Sequence, residues 1–306
     1  MREINISNRS KVFFPDSGLT KGDLIDYYRG VADVMVPHTK HYGVSMKRFP
    51  EGIQGKGFFQ KDSSDHFPDW ITTEGFPRKE GGSYSAPVVD CEATLLYLAD
   101  QAMITPHLYL SRMDDLKHPD RMIYDLDPPE DSLDTGDVRR AALDLRDLLG
   151  ELDIHPFVQT TGSMGYHLVV PLDRSLEFDG VREFAMGTAK VLAGRYPDRY
   201  TVELRRKRRG GRIFLDTLRN SYGATAVAPY GVRALPGAPV ATPITWKELE
   251  DGASPRDWTV KNIPERLDAI GDPWISIRRH GISLSIRNEK LGSLLKTDSG
   301  RKRGEA

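Results

Sequence analysis

Only one cysteine, Cys91, occurs in 306 residues, so neither an internal disulfide framework nor a cysteine-rich zinc site can be built. A lone thiol suits a reducing compartment, and no histidine partner for it is evident, which argues against a nucleophilic cysteine. No apolar run approaches the ~18 residues of a membrane span. The N-terminus, Met1-Arg2-Glu3-Ile4-Asn5, lacks the apolar stretch of a signal peptide. The eight histidines show no HExxH or paired spacing, which disfavours a zinc hydrolase. Net charge is scarce too: 43 Lys+Arg against 44 Asp+Glu leave −1, which excludes a uniformly cationic nucleic-acid binder.

What is present describes an ordinary globular chain, long enough to bury a core as one large domain or two intimate ones. Its neutrality is a cancellation. Residues 112–137 hold nine acids against three bases, whereas residues 195–233 hold ten bases against three acids. Residues 1–61 and 278–306 are also net basic. Evenly mixed surface charge would not segregate in this way.

Periodicity predicts a mixed α+β fold with antiparallel sheets and flanking helices. Thr20-Lys21-Gly22-Asp23 opens a helix through Asp33, and Cys91 to Ala102 is helical. Val44–Phe49 and Gly57–Lys61 read as short strands. Arg121–Asp127 is a strand ended by Pro128-Pro129, because proline cannot continue a ladder. Asp137–Leu149 and Val181–Leu192 are helices. Phe157–Thr160 and Tyr166–Pro171 are strands around a glycine turn, and Tyr200–Leu204 and Arg212–Leu218 flank a hairpin loop. Thr225–Ala228 is a further strand. Residues 1–296 are expected to form a single domain in two parts, 1–105 and 106–296, with 297–306 a polar, disordered tail.

Five patterns could carry chemistry. Asp125-Leu126-Asp127 lies at a strand end, where residues two apart face the same side about 6–7 Å apart. Two like charges there favour a divalent cation, although D-x-D also occurs at solvated loop ends. Apolar Met122, Ile123, Tyr124 and Leu126 favour a core strand delivering acids to a cleft. In Thr160–His167, Gly162 and Gly165 let backbone N–H groups approach an anion while Ser163 and His167 add donors; an ordinary β-turn fits equally. Asp216 sits among apolar neighbours and needs a partner: Arg212, Arg219 or a metal. Arg205-Arg206-Lys207-Arg208-Arg209 suits a phosphate backbone, or equally a solvated turn. Gly57-Phe58-Phe59-Gln60-Lys61 after Lys47-Arg48 mixes aromatics with cations, as base stacking requires; strand alternation places one Phe inside. Together these are the parts of nucleotidyl transfer: metal-holding acids, donors for a triphosphate, and cations for the strands.

Over residues 3–270 the sequence resembles the polymerase module of bacterial ligase D, of the archaeo-eukaryotic primase superfamily, which acts in non-homologous end joining. Tyr124-Asp125-Leu126-Asp127-Pro128-Pro129 is similar to that family's metal-binding D-x-D, and Asp216 falls at its third metal carboxylate. Ser163-x-Gly165-x-His167 resembles its nucleotide motif, which often carries Lys where this chain has Met164. The resemblance implies that His107, Ser163, Gly165, His167, Arg219 and Arg233 bind the nucleotide, and that Lys11 and Lys21 hold a downstream 5′-phosphate. It implies further that Arg48, Phe58, Phe59 and Lys61 orient the template and that Arg209 contacts DNA, so that residues 1–105 would be the DNA-end and template-binding part and 106–296 the catalytic core with the metal and nucleotide sites. It also implies two Mn²⁺ or Mg²⁺ ions, a preference for ribonucleotides, Ku and an ATP-dependent DNA ligase as partners, and a cytoplasmic, nucleoid-associated location. With 306 residues the chain has no room for ligase or phosphoesterase modules, so a stand-alone polymerase or an excised module is expected.

The expected function is therefore a template-dependent polymerase for DNA ends and 5′-phosphorylated gaps. The alternatives are a non-catalytic module that binds 5′-phosphorylated ends, and a metal-dependent nuclease using the same acids. Because the bases gather where phosphate is expected, affinity for a gapped duplex should fall by about 10³-fold between about 50 and about 200 mM salt. Fluorescence anisotropy of a labelled duplex measures this; a flat response would show that the basic segments do not meet phosphate.

Overall fold

The computed structural model describes residues 4–77, 81–129 and 135–304. Along the chain, β1 (Val12–Phe14) and β2 (Leu19–Thr20) precede α1 (Lys21–Gly30) and α2 (Ala32–Thr39). Next come β3 (Val44–Arg48), β4 (Phe58–Gln60), β5 (Thr73–Pro77), β6 (Ser83–Pro87), α3 (Glu92–Asp100) and β7 (Met103–Tyr109). The following stretch runs β8 (Arg121–Asp127), α4 (Thr135–Glu151), β9 (Phe157–Thr160), β10 (Tyr166–Pro171), α5 (Phe178–Arg195), β11 (Tyr200–Thr201) and β12 (Ile213–Asp216). β13 (Thr225–Val227), β14 (Pro243–Ile244), α6 (Trp246–Glu250), α7 (Ile263–Ile270) and α8 (Asn288–Gly304) complete it. No helix among the described residues is long and apolar enough to cross a membrane.

The elements form a mixed α+β structure in two compact units. The first combines Met1–Leu116 with Thr225–Pro243 and Arg256–Pro273; the second combines Lys117–Ala224 with Ile244–Pro255 and Trp274–Ala306. The chain changes unit near Leu116, after β7, which pairs with both β3 and the later β13.

In the first unit, an antiparallel sheet of order β13-β7-β3-β4 packs with α1 and α3 over a core that includes Tyr28, Val44, Met46, Leu95 and Leu98. Thr20 and Asp23 form a capping box at the start of α1, as the sequence signal predicts. α1 ends at Gly30, short of Asp33, and α2 restarts after Val31. Buried Tyr28 donates to the Ile104 carbonyl at 2.6 Å and accepts from the Val232 N–H, while Thr105 donates to the Val232 carbonyl. Both polar backbone groups of Val232 are therefore satisfied inside the core.

The second unit is built on a six-stranded sheet of order β11-β12-β8-β10-β9-β14. β8 is central, and its near-continuous apolar run is buried on both faces. Helix α4 buries the stripe Val138, Ala141, Ala142, Leu145, Leu148 and Leu149, and the Tyr124 hydroxyl meets Thr188 of α5 at 2.5 Å. β12, β10 and β9 follow antiparallel registers through β8 and β10, but β11 lies parallel to β12. The basic segment is thus a crossover containing a 3₁₀ turn, Arg206–Arg208, and not the hairpin loop that the sequence suggests. Arg212 sets this path by donating to the carbonyls of Pro197, Arg208 and Arg209.

Helix α8 continues to Gly304, and at its start Leu291 is buried against α5. Residues 305–306, and the acids Glu130, Asp131 and Asp134 of the acidic segment, lie outside the described residues.

Asn220 ties the sheet to the turn that leaves it. Its amide accepts from Ile123 N–H at 2.8 Å and donates to the Ile123 and Thr217 carbonyls at 2.7 and 2.9 Å, continuing the β12–β8 ladder with a side chain. Asn220→Ala removes the partner of the buried Ile123 N–H and carbonyl, at roughly 1–3 kcal/mol per group, while the Thr217 carbonyl keeps the Asn220 backbone N–H. Chemical denaturation should show a loss of about 3 kcal/mol; a change below 0.5 kcal/mol would mean that water replaces the amide.

Candidate active site

Three residues stand on neighbouring strands at one level of the second unit's sheet. Register pairs Asp216 of β12 with Asp125 of β8, and Asp125 with His167 of β10. Directly opposed residues share a face, so the two-residue step from Asp125 to Asp127 adds a second carboxylate to the same side. Asp125, Asp127 and Asp216 each present an oxygen within 4.8 Å of the others.

The surroundings treat the three acids differently. Asp125 is 5% exposed, with Oδ1 facing His167 Nε2 at 3.3 Å and Oδ2 accepting from Arg219 Nε at 3.1 Å. Burial raises its carboxyl, but His167 and then Arg219 outweigh burial and hold it well below the usual carboxylate range. Asp127 lacks such compensation: burial, then the charges of Asp125 and Asp216, push it up to about 7. Asp216 is raised by burial too, an effect opposed by the Leu218 N–H that its Oδ1 accepts at 2.7 Å. The partner sought for Asp216 is therefore a backbone amide, while Arg219 bonds directly to Asp125 and reaches Asp216 through its field.

An all-oxygen donor set whose members raise one another's pKa fits a hard divalent cation such as Mg²⁺ or Mn²⁺. A bound cation would replace the proton that Asp127 otherwise holds.

The turn from β9 to β10 is folded on itself. Thr161 Oγ1 accepts from the N–H groups of Ser163 and Gly165 and donates to the Gly165 carbonyl. Gly162 takes φ +63°, which favours glycine. The Gly165 N–H is thus engaged within the turn by the Thr161 hydroxyl. Gly165 serves another need: a Cβ there would lie 2.0 Å from the Leu126 carbonyl oxygen, so only glycine lets β10 approach β8. The Ser163 side chain remains partly accessible.

Arg209 also differs from a simple surface cation. Its guanidinium lies 3.7 Å from the centre of the Phe214 ring and donates to the Glu203 and Leu204 carbonyls. From there its charge lowers the pKa of Asp127 and Asp216. Arg205 to Arg208 are exposed.

This chain's comparisons with known proteins agree with the geometry. The family model described as LigD, primase-polymerase domain, matches residues 20–274. The chain belongs to that family. It is 32% identical over 271 residues to the multifunctional non-homologous end joining protein LigD of Mycolicibacterium smegmatis, covering 88% of this chain and 35% of that protein. The bifunctional LigD of Bacillus subtilis is 28% identical, with 91% of this chain and 44% of that protein covered. The chain therefore spans about a third to under half the length of these curated relatives. Among solved structures, the polymerase domain from Mycobacterium tuberculosis ligase D in complex with DNA matches with a TM-score of 0.85 at 30% identity. That match covers 92% of this chain and 100% of the other. The family is one of nucleotidyltransferases, and its primase-type fold is the mixed α+β fold found here.

The remaining family-matched positions fall in the first unit. His107 lies on β7, its ring edge-on to Phe59 at 5.2 Å. Arg233 follows the fastened Val232, and its charge lowers the pKa of Lys47, after the larger effect of burial. Phe58 and Phe59 are 44% and 55% exposed, so both are open and not one inside as strand alternation suggests. The reason is that β4 is a three-residue edge strand paired only with β3. Arg48 sits over Phe58 and Lys47 over Phe59, while Lys61 lies 6.0 Å from the Tyr109 ring centre. Arg48 also donates to the Gln101 carbonyl and Gln60.

The two lysines expected at the 5′-phosphate part company. Lys11 is partly exposed and paired with Glu51 at 2.8 Å. Lys21 is buried, its ammonium 2.6 Å from Asp100 and bonded to the Ser7 hydroxyl. Ser7 N–H also bonds Asp100, and the Lys21 and Gly22 N–H groups at the start of α1 donate to Lys11 and Arg9 carbonyls. Lys21 thereby fastens the segment that carries Lys11.

Gln159 and Asn220, which contact His167 and Ile123, were not singled out for these contacts by sequence; only strand register reveals them.

Asp127 supplies a pH-dependent test. Its folded-state pKa, about 7, lies above the ordinary 3.8, so the folded metal-free protein retains a proton that the unfolded chain loses. The resulting penalty is absent below about pH 4, grows through the interval to about 7, and is complete above it. Asp127→Asn should therefore raise the metal-free Tm more at pH 8 than at pH 5, and should abolish stabilisation by Mn²⁺. Thermal unfolding at both pH values, with and without Mn²⁺, checks it; an equal effect at both would show that Asp127 is ionised throughout.

Proposed function

We propose that the chain is a template-dependent polymerase that extends DNA ends and fills 5′-phosphorylated gaps during non-homologous end joining. The observation that carries this reading is the convergence of Asp125, Asp127 and Asp216 within 4.8 Å, in a chain of the LigD primase-polymerase family. These acids would hold two Mn²⁺ or Mg²⁺ ions, which supply activation of a primer 3′-hydroxyl and neutralisation of the triphosphate. The DNA bound by the M. tuberculosis ligase D polymerase domain supports a DNA substrate here.

Each side chain then has a defined task. Arg219 keeps Asp125 ionised and offers the rest of its guanidinium to a phosphate. Ser163 contributes a hydroxyl donor, and His167 orients Asp125. Arg233 and His107 take the nucleotide roles that family membership suggests, and Lys11 the 5′-phosphate. Exposed Phe58 and Phe59 offer rings on which template bases stack, each backed by a cation. Gly165 and Lys21 act by holding backbone in place. Ribonucleotides are the preferred substrate, and Ku and an ATP-dependent ligase the partners, on the strength of the family alone.

Primer extension on a gapped, 5′-phosphorylated duplex with Mn²⁺ and each NTP or dNTP tests the reading. Extension should occur, with lower KM for NTPs, and Asp125→Ala with Asp127→Ala should abolish it while DNA binding persists. Binding without extension would favour the end-binding alternative, and primer shortening the nuclease.

A further inference from the structure

The polar row that contains the acids continues one strand beyond them. Register pairs His167 of β10 not only with Asp125 of β8 but also with Gln159 of β9. Asp216, Asp125, His167 and Gln159 therefore stand side by side across four adjacent strands, on one face. Gln159 is 2% exposed and His167 4% exposed. The Gln159 side-chain nitrogen lies 3.3 Å from His167 Nδ1, and His167 Nε2 lies 3.3 Å from Asp125 Oδ1.

A neutral imidazole has one N–H and one lone pair, so the two contacts are not independent. The Asp125 carboxylate only accepts, so this contact is a hydrogen bond only when the nitrogen facing it carries the hydrogen. The opposite nitrogen then presents its lone pair and requires a donor. Gln159 is a neutral side chain able to donate from inside the sheet. An apolar residue would leave Nδ1 buried without a donor, and a carboxylate would call the hydrogen to Nδ1 and turn a lone pair toward Asp125.

We propose that Gln159 is a positioning residue that fixes His167 as the Nε2–H tautomer and thereby aims Asp125 at the metal. The proposal rests on reading Asp125 as a metal-holding carboxylate, but the tautomer itself belongs to the metal-free protein. Gln159 touches neither metal nor substrate; it acts through His167, as outer partners of metal ligands do elsewhere.

Long-range proton–nitrogen correlation on ¹⁵N-histidine-labelled, metal-free protein reads the tautomer, with His167→Asn assigning the signal. Wild type should show Nε2 protonated and Nδ1 unprotonated. Gln159→Met keeps side-chain volume but removes the donor; it should populate both tautomers and weaken Mn²⁺ binding by about tenfold in calorimetry. Protonated Nδ1 in wild type would overturn the proposal without recourse to any variant. A folded Gln159→Met protein with the wild-type tautomer and unchanged Mn²⁺ affinity would overturn it as well. Failure of wild type to extend primers would sink the polymerase reading while leaving the tautomer result standing.

Discussion

Asp125, Asp127 and Asp216 repel one another from within 4.8 Å, and the second unit's sheet is organised around that repulsion. Two-residue spacing on β8 sets one pair, and the β12–β8 register sets the other. Strands buried among apolar side chains cannot splay to relieve the strain, because each step apart would expose core. The charge is instead distributed: Asp125 is held ionised by His167 and Arg219, Asp216 receives a backbone N–H, and Asp127 is left near the point of taking a proton. An asymmetric triad of this kind is poised to exchange that proton for a cation.

The same logic explains the turns beside the acids. β12 leaves the sheet immediately after Asp216, and the short 3₁₀ turn Leu218–Asn220 must place Arg219 against Asp125. Asn220 makes that possible by pairing with Ile123 as a strand would. On the other side, Gly165 brings β10 close enough for His167 to reach Asp125. Neither residue needs to touch a substrate for the site to depend on it. In the first unit, Lys21 does the equivalent work for Lys11, and Tyr28 with Thr105 for the segment before Arg233.

Much of the second unit's sheet is legible in the sequence because its signals are local. β8, β9 and β10 show apolar runs bounded by prolines and glycines, and α4 shows a stripe at helical period. The acids are legible because a carboxylate among apolar neighbours demands a partner. What escapes is whatever depends on strands meeting across many residues. The parallel β11–β12 pairing is invisible because an eleven-residue gap rich in Arg and Gly looks like a hairpin. The ion pair of Lys21 is not legible because its partner Asp100 lies 79 residues away. Strand alternation fails at Phe58 and Phe59 because an edge strand has no covered face to enforce it. Gln159 carries no motif, and its meaning arises only when register sets it opposite His167.

The near-zero charge follows from the division of labour among these groups. Holding divalent cations requires carboxylates close together, and holding phosphate requires cations, so a chain that does both tends toward cancellation. The two populations are kept apart by the fold: the triad is set into the sheet of one unit, while Arg205 to Arg208 lie exposed on the crossover beside it. Arg209 links them, with its guanidinium on Phe214 and its charge felt by Asp127 and Asp216. A polyanion drawn to the crossover would screen that positive field and strengthen the mutual repulsion of the acids, increasing their demand for cations. On the proposed reading, phosphate binding and metal binding would be coupled through one arginine, a relation that a total charge of −1 conceals.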